Sequence, residues 1–198
     1  MIVLLGKTCS GKDTILNKLV KDYGYFKLTT YTTRPMRKGE IQDKTYHFVS
    51  EEEFLDKLNS EFFLEHKKYE TAEGEWYYGS AKEDYENGDN NSVIILTPSG
   101  FEALKVYIAR QKVDIDIVSI YIYANNKTIS NRLKKRGDKK EEADRRIKAD
   151  SVDFKNVVDI VDKIFYNNET NDLDEVVKKV HEYIKYRNED KNWKRKCT

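Results

Sequence analysis

Residues 2 to 14 constrain the fold most, because they join a short apolar run to a glycine-rich turn. Ile2–Leu5 has the composition of a buried strand, and it leads into Gly6, four further residues, Gly11 and Lys12. This is the spacing of a phosphate-binding loop, G-x-x-x-x-G-K-[ST], except that Asp13 stands where Ser or Thr is usual. Backbone N–H groups of such a turn and the positive end of the following helix attract phosphate. The alternative is an ordinary strand-turn-helix with small residues in its turn.

Apolar runs and amphipathic patterns alternate along much of the remaining chain. The apolar runs predict four strands: Ile2–Leu5, Val93–Leu96, Ile115–Tyr123 and Lys163–Tyr166. The amphipathic patterns predict four helices: Lys12–Asp22, Gly100–Arg110, Lys127–Arg136 and Leu173–Tyr186. This alternation is typical of an α/β fold with a doubly wound parallel sheet, whose ligands lie beyond the carboxyl ends of the strands.

Two segments depart from the alternation within what we expect to be a single domain. Residues 30–79 are polar and aromatic, with a capping box from Ser50 to Glu53 and alternating patterns at Glu61–Tyr69 and Glu75–Tyr78, which predict an inserted antiparallel subdomain. Residues 126–150 are helical in pattern and densely charged, with a break at Gly137. We interpret them as a mobile lid; a solvated helical pair is the alternative. The core then comprises residues 1–29, 80–125 and 151–198.

Composition argues against several classes of partner. The chain has 36 Lys and Arg residues and 35 Asp and Glu residues, so it lacks the excess positive charge that would favour binding to nucleic acid or to a membrane surface. No apolar run reaches the roughly 18 residues of a membrane span. Cys9 and Cys197 make no disulfide framework, which fits a reducing cytoplasm. Cys9 at a helix N-terminus could react with oxidants, or be simply a small loop residue. We expect a cytoplasmic monomer or homodimer with a frayed basic end at Lys191–Thr198.

Further motifs follow the loop in a specific order. They are Thr-Thr-Arg-Pro-Met-Arg-Lys-Gly-Glu at 32–40, Tyr-His-Phe-Val-Ser at 46–50, Glu-Phe-Phe-Leu-Glu at 61–65, Tyr-Tyr-Gly-Ser at 77–80, Arg-Leu-Lys-Lys-Arg-Gly at 132–137, and Asn167. With these motifs the chain resembles the guanylate kinases over nearly its whole length. The resemblance implies a P-loop core with an NMP-binding subdomain at 30–79 and a lid at 126–150. It also implies transfer of the γ-phosphoryl group of ATP to GMP or dGMP with Mg²⁺.

Arg34, Arg37 and Tyr46 have the chemistry to hold a monoester phosphate, because guanidinium and phenol groups donate charge-assisted or bidentate hydrogen bonds. Taken alone, the two arginines could equally be solvated loop residues. The resemblance makes these three residues the clamp for the GMP phosphate, with Glu40 supporting the arginines and Thr30 nearby.

The resemblance also makes Glu65 and Ser80 the readers of the guanine base. One carboxylate can accept from N1–H and N2–H₂ of guanine while a hydroxyl donates to O6, and adenine has the opposite pattern. Ser80 could instead, or in addition, be the N-cap of a helix beginning at Ala81, with Glu83 completing a capping box. Tyr78 and Thr97 complete the expected GMP site.

For the donor nucleotide, the resemblance implies that ATP binds Arg136, Asn167 and the loop residues Gly6, Lys7, Thr8, Cys9, Ser10, Gly11, Lys12, Asp13 and Thr14. Arg136 and Asn167 would pack against adenine. Arg132 and Arg146 would contact the transferred phosphate, and with Lys12 and Arg34 they form the expected catalytic set. Arg145 could take the place of Arg146.

The chain departs from the guanylate kinase pattern at three places. Ile95 and Thr97 replace an acid-x-acid pair, and a few extra residues lie around Thr71–Gly74. Asp13 replaces the usual loop Ser or Thr, and we hypothesise that Asp13 and Thr14 hold Mg²⁺; the alternative is that Asp13 only caps its helix. Two other functions remain open: a related P-loop kinase for another (deoxy)nucleotide or phosphorylated acceptor, or a catalytically inactive phosphopeptide-binding module.

Overall fold

A computed structural model describes residues 1–71, 74–112 and 115–196. The chain divides into two compact units. We call Met1–Lys27, Asp89–Pro98 and Ile115–Thr198 the core unit, and Leu28–Gly88 with Ser99–Asp114 the insert unit. The expected division into core, NMP-binding subdomain and lid stays a prediction. No helix within the described part of the chain is long and apolar enough to cross a membrane.

The core unit is built on a five-stranded sheet in which every pairing is parallel. Its strands are β1 (Ile2–Leu5), β2 (Phe26–Lys27), β7 (Ser92–Ile95), β8 (Val118–Tyr123) and β9 (Lys163–Tyr166). They lie in the order β2-β7-β1-β8-β9. The parallel sheet and its helices confirm the predicted α/β fold class.

Two details of this sheet differ from the prediction. The strand β2 was missed, because it is a two-residue edge strand whose Phe26 is 65% exposed and has no buried pattern to show it. The strand expected from Ile115 begins only at Val118. The register pairs Val118 with Ile2, the first residue of β1, so the preceding residues have no β1 residue beside them.

Four long helices complete the core unit: α1 (Lys12–Tyr23), α5 (Asn126–Arg136), α6 (Lys140–Asp153) and α7 (Leu173–Lys196), together with a short 3₁₀ helix at Val157–Asp159. Apolar side chains of α1 and α7, among them Leu19 and Ile184, pack in one buried cluster with β1 and β8. Gly137 ends α5 in the left-handed conformation at φ +83°, as the break in the pattern predicts. The helix α7 continues ten residues past the expected end at Tyr186, so the backbone at 191–196 is helical rather than frayed; Cys197 lies outside the described residues.

The insert unit carries a second sheet with strands β3 (Tyr31–Thr32), β4 (His47–Phe48), β5 (Phe63–Thr71) and β6 (Gly74–Ala81). The long hairpin β5–β6 is antiparallel, and so is β3–β6. The pair β3–β4 is parallel, so the sheet is mixed and not purely antiparallel as predicted. The backbone carbonyls of Thr30 and Thr32 accept from His47 and Val49, which draws the returning chain alongside β3.

Three helices belong with this sheet: α2 (Glu51–Asn59), α3 (Lys82–Glu86) and α4 (Pro98–Gln111), of which α4 lies in the insert unit from Ser99 onward. Ser50 caps α2 by accepting from the Glu53 N–H at 3.0 Å, which confirms the predicted start. Phe54 of α2 is buried and stacks on Phe63 with ring centroids 4.4 Å apart. This packing covers one face of the hairpin, since residues two apart along a strand share a face.

Candidate active site

The loop Gly6–Gly11 joins β1 to α1 and has no room for side chains at its two glycines. A Cβ atom at Gly6 would lie 2.4 Å from Ser10 Oγ and 3.0 Å from the Ile122 carbonyl oxygen. A Cβ atom at Gly11 would lie 2.2 Å from Asn167 Nδ2, and Gly11 has φ +93°, which L-residues rarely adopt. The loop is therefore shaped by its backbone, as phosphate-binding loops require.

Two side chains from distant elements bind the carbonyl groups of this loop. Arg132 of α5 donates from Nη1 to the carbonyl oxygens of Cys9 and Ser10, each at 3.1 Å. The buried Asn167, which follows β9, donates from Nδ2 to the Ser10 carbonyl oxygen at 2.8 Å. The structure thus brings both predicted residues to the loop. Cys9 also packs against the small apolar cluster that contains Ile129 of α5.

Ser10 offers a polar group with no protein partner in the described structure. Its side chain is fully buried, and Oγ has no hydrogen-bond partner there. Buried hydroxyl groups in folded proteins are nearly always paired. An unpaired hydroxyl inside a glycine-rich turn fits a loop that takes a polar ligand such as a phosphate group.

The first turn of α1 brings Lys12, Asp13 and Thr14 together. Lys12 Nζ lies 3.6 Å from Asp13 Oδ2; the Lys12 side chain is 19% exposed and that of Asp13 is 61% exposed. Gly11 is the N-cap and Asp13 lies inside the first turn, so the capping part of the alternative for Asp13 is wrong. The other part, that Asp13 favours the helix dipole, agrees with its place in the first turn.

The sequence analysis missed Asp150, whose Oδ2 accepts a hydrogen bond from the Thr8 N–H at 2.6 Å. Burial raises the pKa of this carboxyl group, although the Thr8 N–H and the nearby Lys12 and Lys7 act in the opposite direction. Asp150 lies on α6, 142 residues from Thr8, so no local spacing signals the contact.

The remaining lid arginines are held by carboxylates of the same segment. Arg136 forms a two-point ion pair with Asp138. Arg145 and Arg146 both donate to Glu142, and their hydrogen bonds, that of Arg145 first, lower the pKa of Glu142 to about 2. The structure therefore places Arg136 and Arg146 in ion pairs within the segment 126–150, whereas Arg132 donates hydrogen bonds to the loop.

In the insert unit, a buried ion pair organises the residues predicted to clamp the acceptor phosphate. Arg34 is 3% exposed and donates from Nη2 to Glu40 Oε1 at 2.7 Å. Glu40 Oε2 accepts from the Arg37 backbone N–H at 2.7 Å. Although burial alone raises the pKa of Glu40, the hydrogen bonds from Arg34 and Arg37 outweigh it and hold the pKa below its ordinary value. Tyr46 lies beside Arg34, with its ring centroid 5.6 Å from the guanidinium carbon.

Glu65 and Ser80 lie side by side on the β5–β6 hairpin of the insert unit. They are register partners on β5 and β6, and Ser80 Oγ donates to Glu65 Oε1 at 2.6 Å. Burial raises the pKa of Glu65 despite this hydrogen bond. Ser80 is in the strand, and Ala81 is the N-cap of α3, so the alternative that Ser80 caps that helix is wrong. Tyr78 lies two residues before Ser80 on the same face of β6, and its ring centroid is 6.0 Å from that of Tyr46.

Two predicted acceptor residues have other surroundings. Thr30 uses its backbone carbonyl to accept from His47 at 2.9 Å. Thr97 lies in the core unit, directly before α4, whereas the other predicted acceptor residues lie in the insert unit. Of the extra residues around Thr71–Gly74, Thr71 and Gly74 are register partners at the ends of β5 and β6, and residues 72–73 lie outside the described structure.

Comparison with known proteins matches residues 1–187 to the family model described as guanylate kinase. A guanylate kinase of Campylobacter jejuni strain RM1221 is 34% identical over 139 residues, 69% of this chain and 63% of that protein. One of Clostridium tetani is 33% identical over 144 residues, 72% of this chain and 66% of that protein. The chain thus spans slightly less than two thirds of these relatives. The guanylate kinase structure from Anaplasma phagocytophilum aligns with TM-score 0.65 and 21% identity over 94% of this chain and 85% of that one, which supports the fold.

Proposed function

We propose that this chain, which belongs to the guanylate kinase family, transfers the γ-phosphoryl group of ATP to GMP or dGMP. The observation that carries the proposal is the hydrogen-bonded pair of the half-buried Glu65 and the buried Ser80, in a chain that also has a glycine-shaped phosphate loop. The loop fits a nucleoside triphosphate, and the pair fits the guanine edge of an acceptor. In this proposal the phosphate donor and the acceptor nucleotide therefore each have a matching set of groups in the protein.

In this proposal ATP binds the core unit through the loop at Gly6–Gly11. Backbone N–H groups and the start of α1 face the phosphates, and Lys12 adds a point charge. Arg132 contributes a second cation, because its guanidinium group already lies against the loop carbonyls of Cys9 and Ser10. Positive charge at this place stabilises the γ-phosphoryl group as its bonds loosen in the transition state.

GMP binds the insert unit in this proposal, with its phosphate at Arg34, Arg37 and Tyr46. The ion pair with Glu40 fixes the Arg34 guanidinium group and leaves its charge available for a phosphate. The Glu65 carboxylate accepts from the N1–H and N2–H₂ groups of guanine, while Ser80 is the hydroxyl beside it. Adenine has no matching N–H groups at this edge, so the Glu65 carboxylate would gain no hydrogen bond from the base and the site would reject AMP.

Mg²⁺ would be held at the first turn of α1 by Asp13, with Thr14 next to it. Mg²⁺ is bound in nucleotide sites by one or two carboxylates together with phosphate oxygens and water, which the exposed Asp13 carboxylate fits. Among the described residues no group of three or more His, Cys, Asp or Glu side chains could hold a metal by itself. When bound, the ion neutralises phosphate charge; Lys12 and the arginines orient the phosphates.

The catalytic step in this proposal is direct transfer, in line, from ATP to a GMP phosphate oxygen. It needs positioning and positive charge, and no protein nucleophile. Arg146 is the lid residue we assign to the transferred phosphate, and it must then leave or share its ion pair with Glu142. Arg145 has the same partner and is more exposed, which makes it the weaker candidate.

A related kinase with another acceptor is the second candidate, favoured by Ile95 and Thr97 at the end of β7, where the family pattern has two acids. An ATP-consumption assay with GMP, dGMP, AMP, UMP and CMP separates the two. We expect turnover with GMP or dGMP only. Turnover with another acceptor alone would favour the second candidate. No ATP consumption with any of the five acceptors, together with no ATP binding in calorimetry, would instead favour a catalytically inactive binding module.

A further inference from the structure

The carboxylate of Asp150 occupies a donor of the phosphate loop. Its Oδ2 accepts from the Thr8 N–H at 2.6 Å, and Thr8 lies between the two glycines that shape the loop. Asp150 is near the end of α6, so this one hydrogen bond ties the second lid helix to the loop.

The surroundings of this carboxylate are those of a bound anion. Lys12 and Lys7 of the loop attract the carboxylate, and Asp153 of α6 repels it. The Thr8 N–H completes a set of donors of the kind that phosphate-binding loops use for phosphate oxygens. Burial raises the pKa of Asp150, while the Thr8 N–H and the two lysines act in the opposite direction.

Space lies beside the contact. A cavity of about 60 Å³ adjoins the carboxylate and is lined by Lys7, Asn126, Ile129, Ile147, Asp150 and Ser151. Cys9 of the loop packs against the apolar cluster of Ile129 and Ile147, but the cavity leaves room next to Asp150 into which a displaced carboxylate could move.

A phosphate oxygen and a carboxylate oxygen cannot both take the short Thr8 hydrogen bond, and two anions at one place repel each other. We infer that Asp150 is a resident anion of the phosphate loop, which the phosphates of an incoming nucleotide displace. The inference rests on the proposed function, in which this loop binds ATP. It makes nucleotide binding and the release of α6 from the loop a single event, and it makes Asp150 a residue that lowers nucleotide affinity.

The opposite role would be a brace, in which Asp150 holds the loop in its binding conformation. The two roles predict opposite signs for removal of the charge. Asp150→Asn keeps the shape of the side chain and removes the charge that competes with phosphate. Asp144→Asn is the matched control, because Asp144 is exposed on the same helix and its substitution removes the same charge.

Calorimetric titration at pH 7.5 with ADP, and separately with inorganic tripolyphosphate, tests the inference on the full chain. We expect both ligands to bind Asp150→Asn about 10-fold more tightly than the wild type, which corresponds to about 1.4 kcal/mol. Asp150→Ala should show the same direction, and Asp144→Asn should stay within about 2-fold of the wild type. The advantage of Asp150→Asn should shrink as the pH is lowered, because the wild-type carboxyl group becomes protonated and loses the charge that competes with phosphate.

Unchanged or weaker binding of both ligands by Asp150→Asn, with an unaltered circular dichroism spectrum and melting temperature, would overturn the inference, and weaker binding would identify a brace. That result leaves the proposed function standing, because the wild type still binds both ligands. If neither the wild type nor any variant bound ADP or tripolyphosphate, the loop would not be a nucleotide site, and the proposed function would fail together with the inference.

Discussion

The phosphate loop of the core unit and the Arg34 clamp of the insert unit are both suited to phosphate, but they are built differently. The loop depends on its glycine backbone, since Gly11 has φ +93° and an added Cβ atom at Gly6 would lie 3.0 Å from the Ile122 carbonyl oxygen. The clamp is shaped by charge, since Glu40 holds both the Arg34 side chain and the Arg37 backbone. Steric changes should therefore damage the loop, and changes of charge should damage the clamp.

The partners of the two sites also differ in their distance along the chain. Arg34 and Glu40 are six residues apart. Asn167 lies 157 residues from Ser10, and Asp150 lies 142 residues from Thr8. The clamp is therefore a local structure of one loop, whereas the phosphate loop depends on the folding of the whole parallel sheet, which brings these elements together.

The largest effect should come from Gly11→Ala. The new methyl group would displace the Asn167 amide from the Ser10 carbonyl and add strain at φ +93°. A charge-assisted hydrogen bond to phosphate contributes about 1.5–3 kcal/mol, so even a small shift of the loop should weaken binding by about 10- to 100-fold. We expect kcat/KM for ATP to fall by about 100-fold, measured with saturating GMP.

Gly24→Ala is the matched control, because Gly24 ends the same helix α1 at φ +73° with nothing within 4 Å of the added Cβ. It should lower the melting temperature through backbone strain of about 1–2 kcal/mol and leave kcat/KM for ATP unchanged. Equal losses of kcat/KM in both variants would show that strain in α1, and not the shape of the loop, sets ATP binding.

A smaller effect, on the acceptor side, is expected from Glu40→Gln. The change leaves the buried Arg34 guanidinium group without a full counter-charge and weakens the acceptor for the Arg37 N–H. Breaking a fully buried pair costs about 3–5 kcal/mol. Because Glu40 is partly exposed and Gln still accepts a hydrogen bond, we expect about 2 kcal/mol less stability in urea and a KM for GMP about 30-fold higher.

The control for charge alone is Glu102→Gln, in the exposed ion pair with Lys105 at 2.7 Å on α4. Exposed pairs contribute about 0–1 kcal/mol, so this variant should be close to the wild type in both measurements. A Glu40→Gln variant that matched this control would mean that the clamp, like the loop, owes its shape to the backbone.

Local signals were sufficient to predict the loop, the strand β1 and the start of α2, while the support of Arg34 by Glu40 was implied by the resemblance to the guanylate kinases. Each of these depends on residues close in sequence, such as the glycine spacing or Ser50 three residues before Glu53. The strand β2 could not be predicted, because Phe26 and Lys27 show no buried pattern and form a strand only when β7 lies beside them. The parallel pairing of β3 with β4 likewise depends on how the intervening loop returns.

Asp150 and the ion pairs of the lid escaped prediction for a related reason. In a segment as charged as 126–150 nearly every acid has a base nearby in sequence, so spacing does not tell which pairs form. Arg136 was expected at adenine and pairs with Asp138, and only the fold shows that Asp150 reaches Thr8. The roles of the predicted site residues in binding stay predictions that the variants test.

The smallest expected effect, and the one that most sharpens the contrast between shape and charge, is that of Glu65→Gln. Burial raises the pKa of Glu65, so the ionised carboxylate destabilises the folded protein relative to an exposed one. The free energy of unfolding of the wild type should therefore fall as the pH rises from the unfolded-state pKa of Glu through the higher folded-state pKa. Glu65→Gln lacks this component and should be at least as stable as the wild type at pH 7.

Binding of GMP should change with pH in the opposite direction, because the ionised carboxylate is the form that accepts from guanine. In the wild type, KM for GMP should rise as the pH falls through the raised pKa, while in Glu65→Gln this component is absent. A neutral amide acceptor in place of a carboxylate loses about 1.4 kcal/mol, so KM should be about 10-fold higher at pH 7.5. Glu70→Gln, on the exposed part of the same strand, is the control. A pH profile of KM that is identical in Glu65→Gln and the wild type would mean that a group other than Glu65 reads the base, because only an ionisable acceptor can produce the difference.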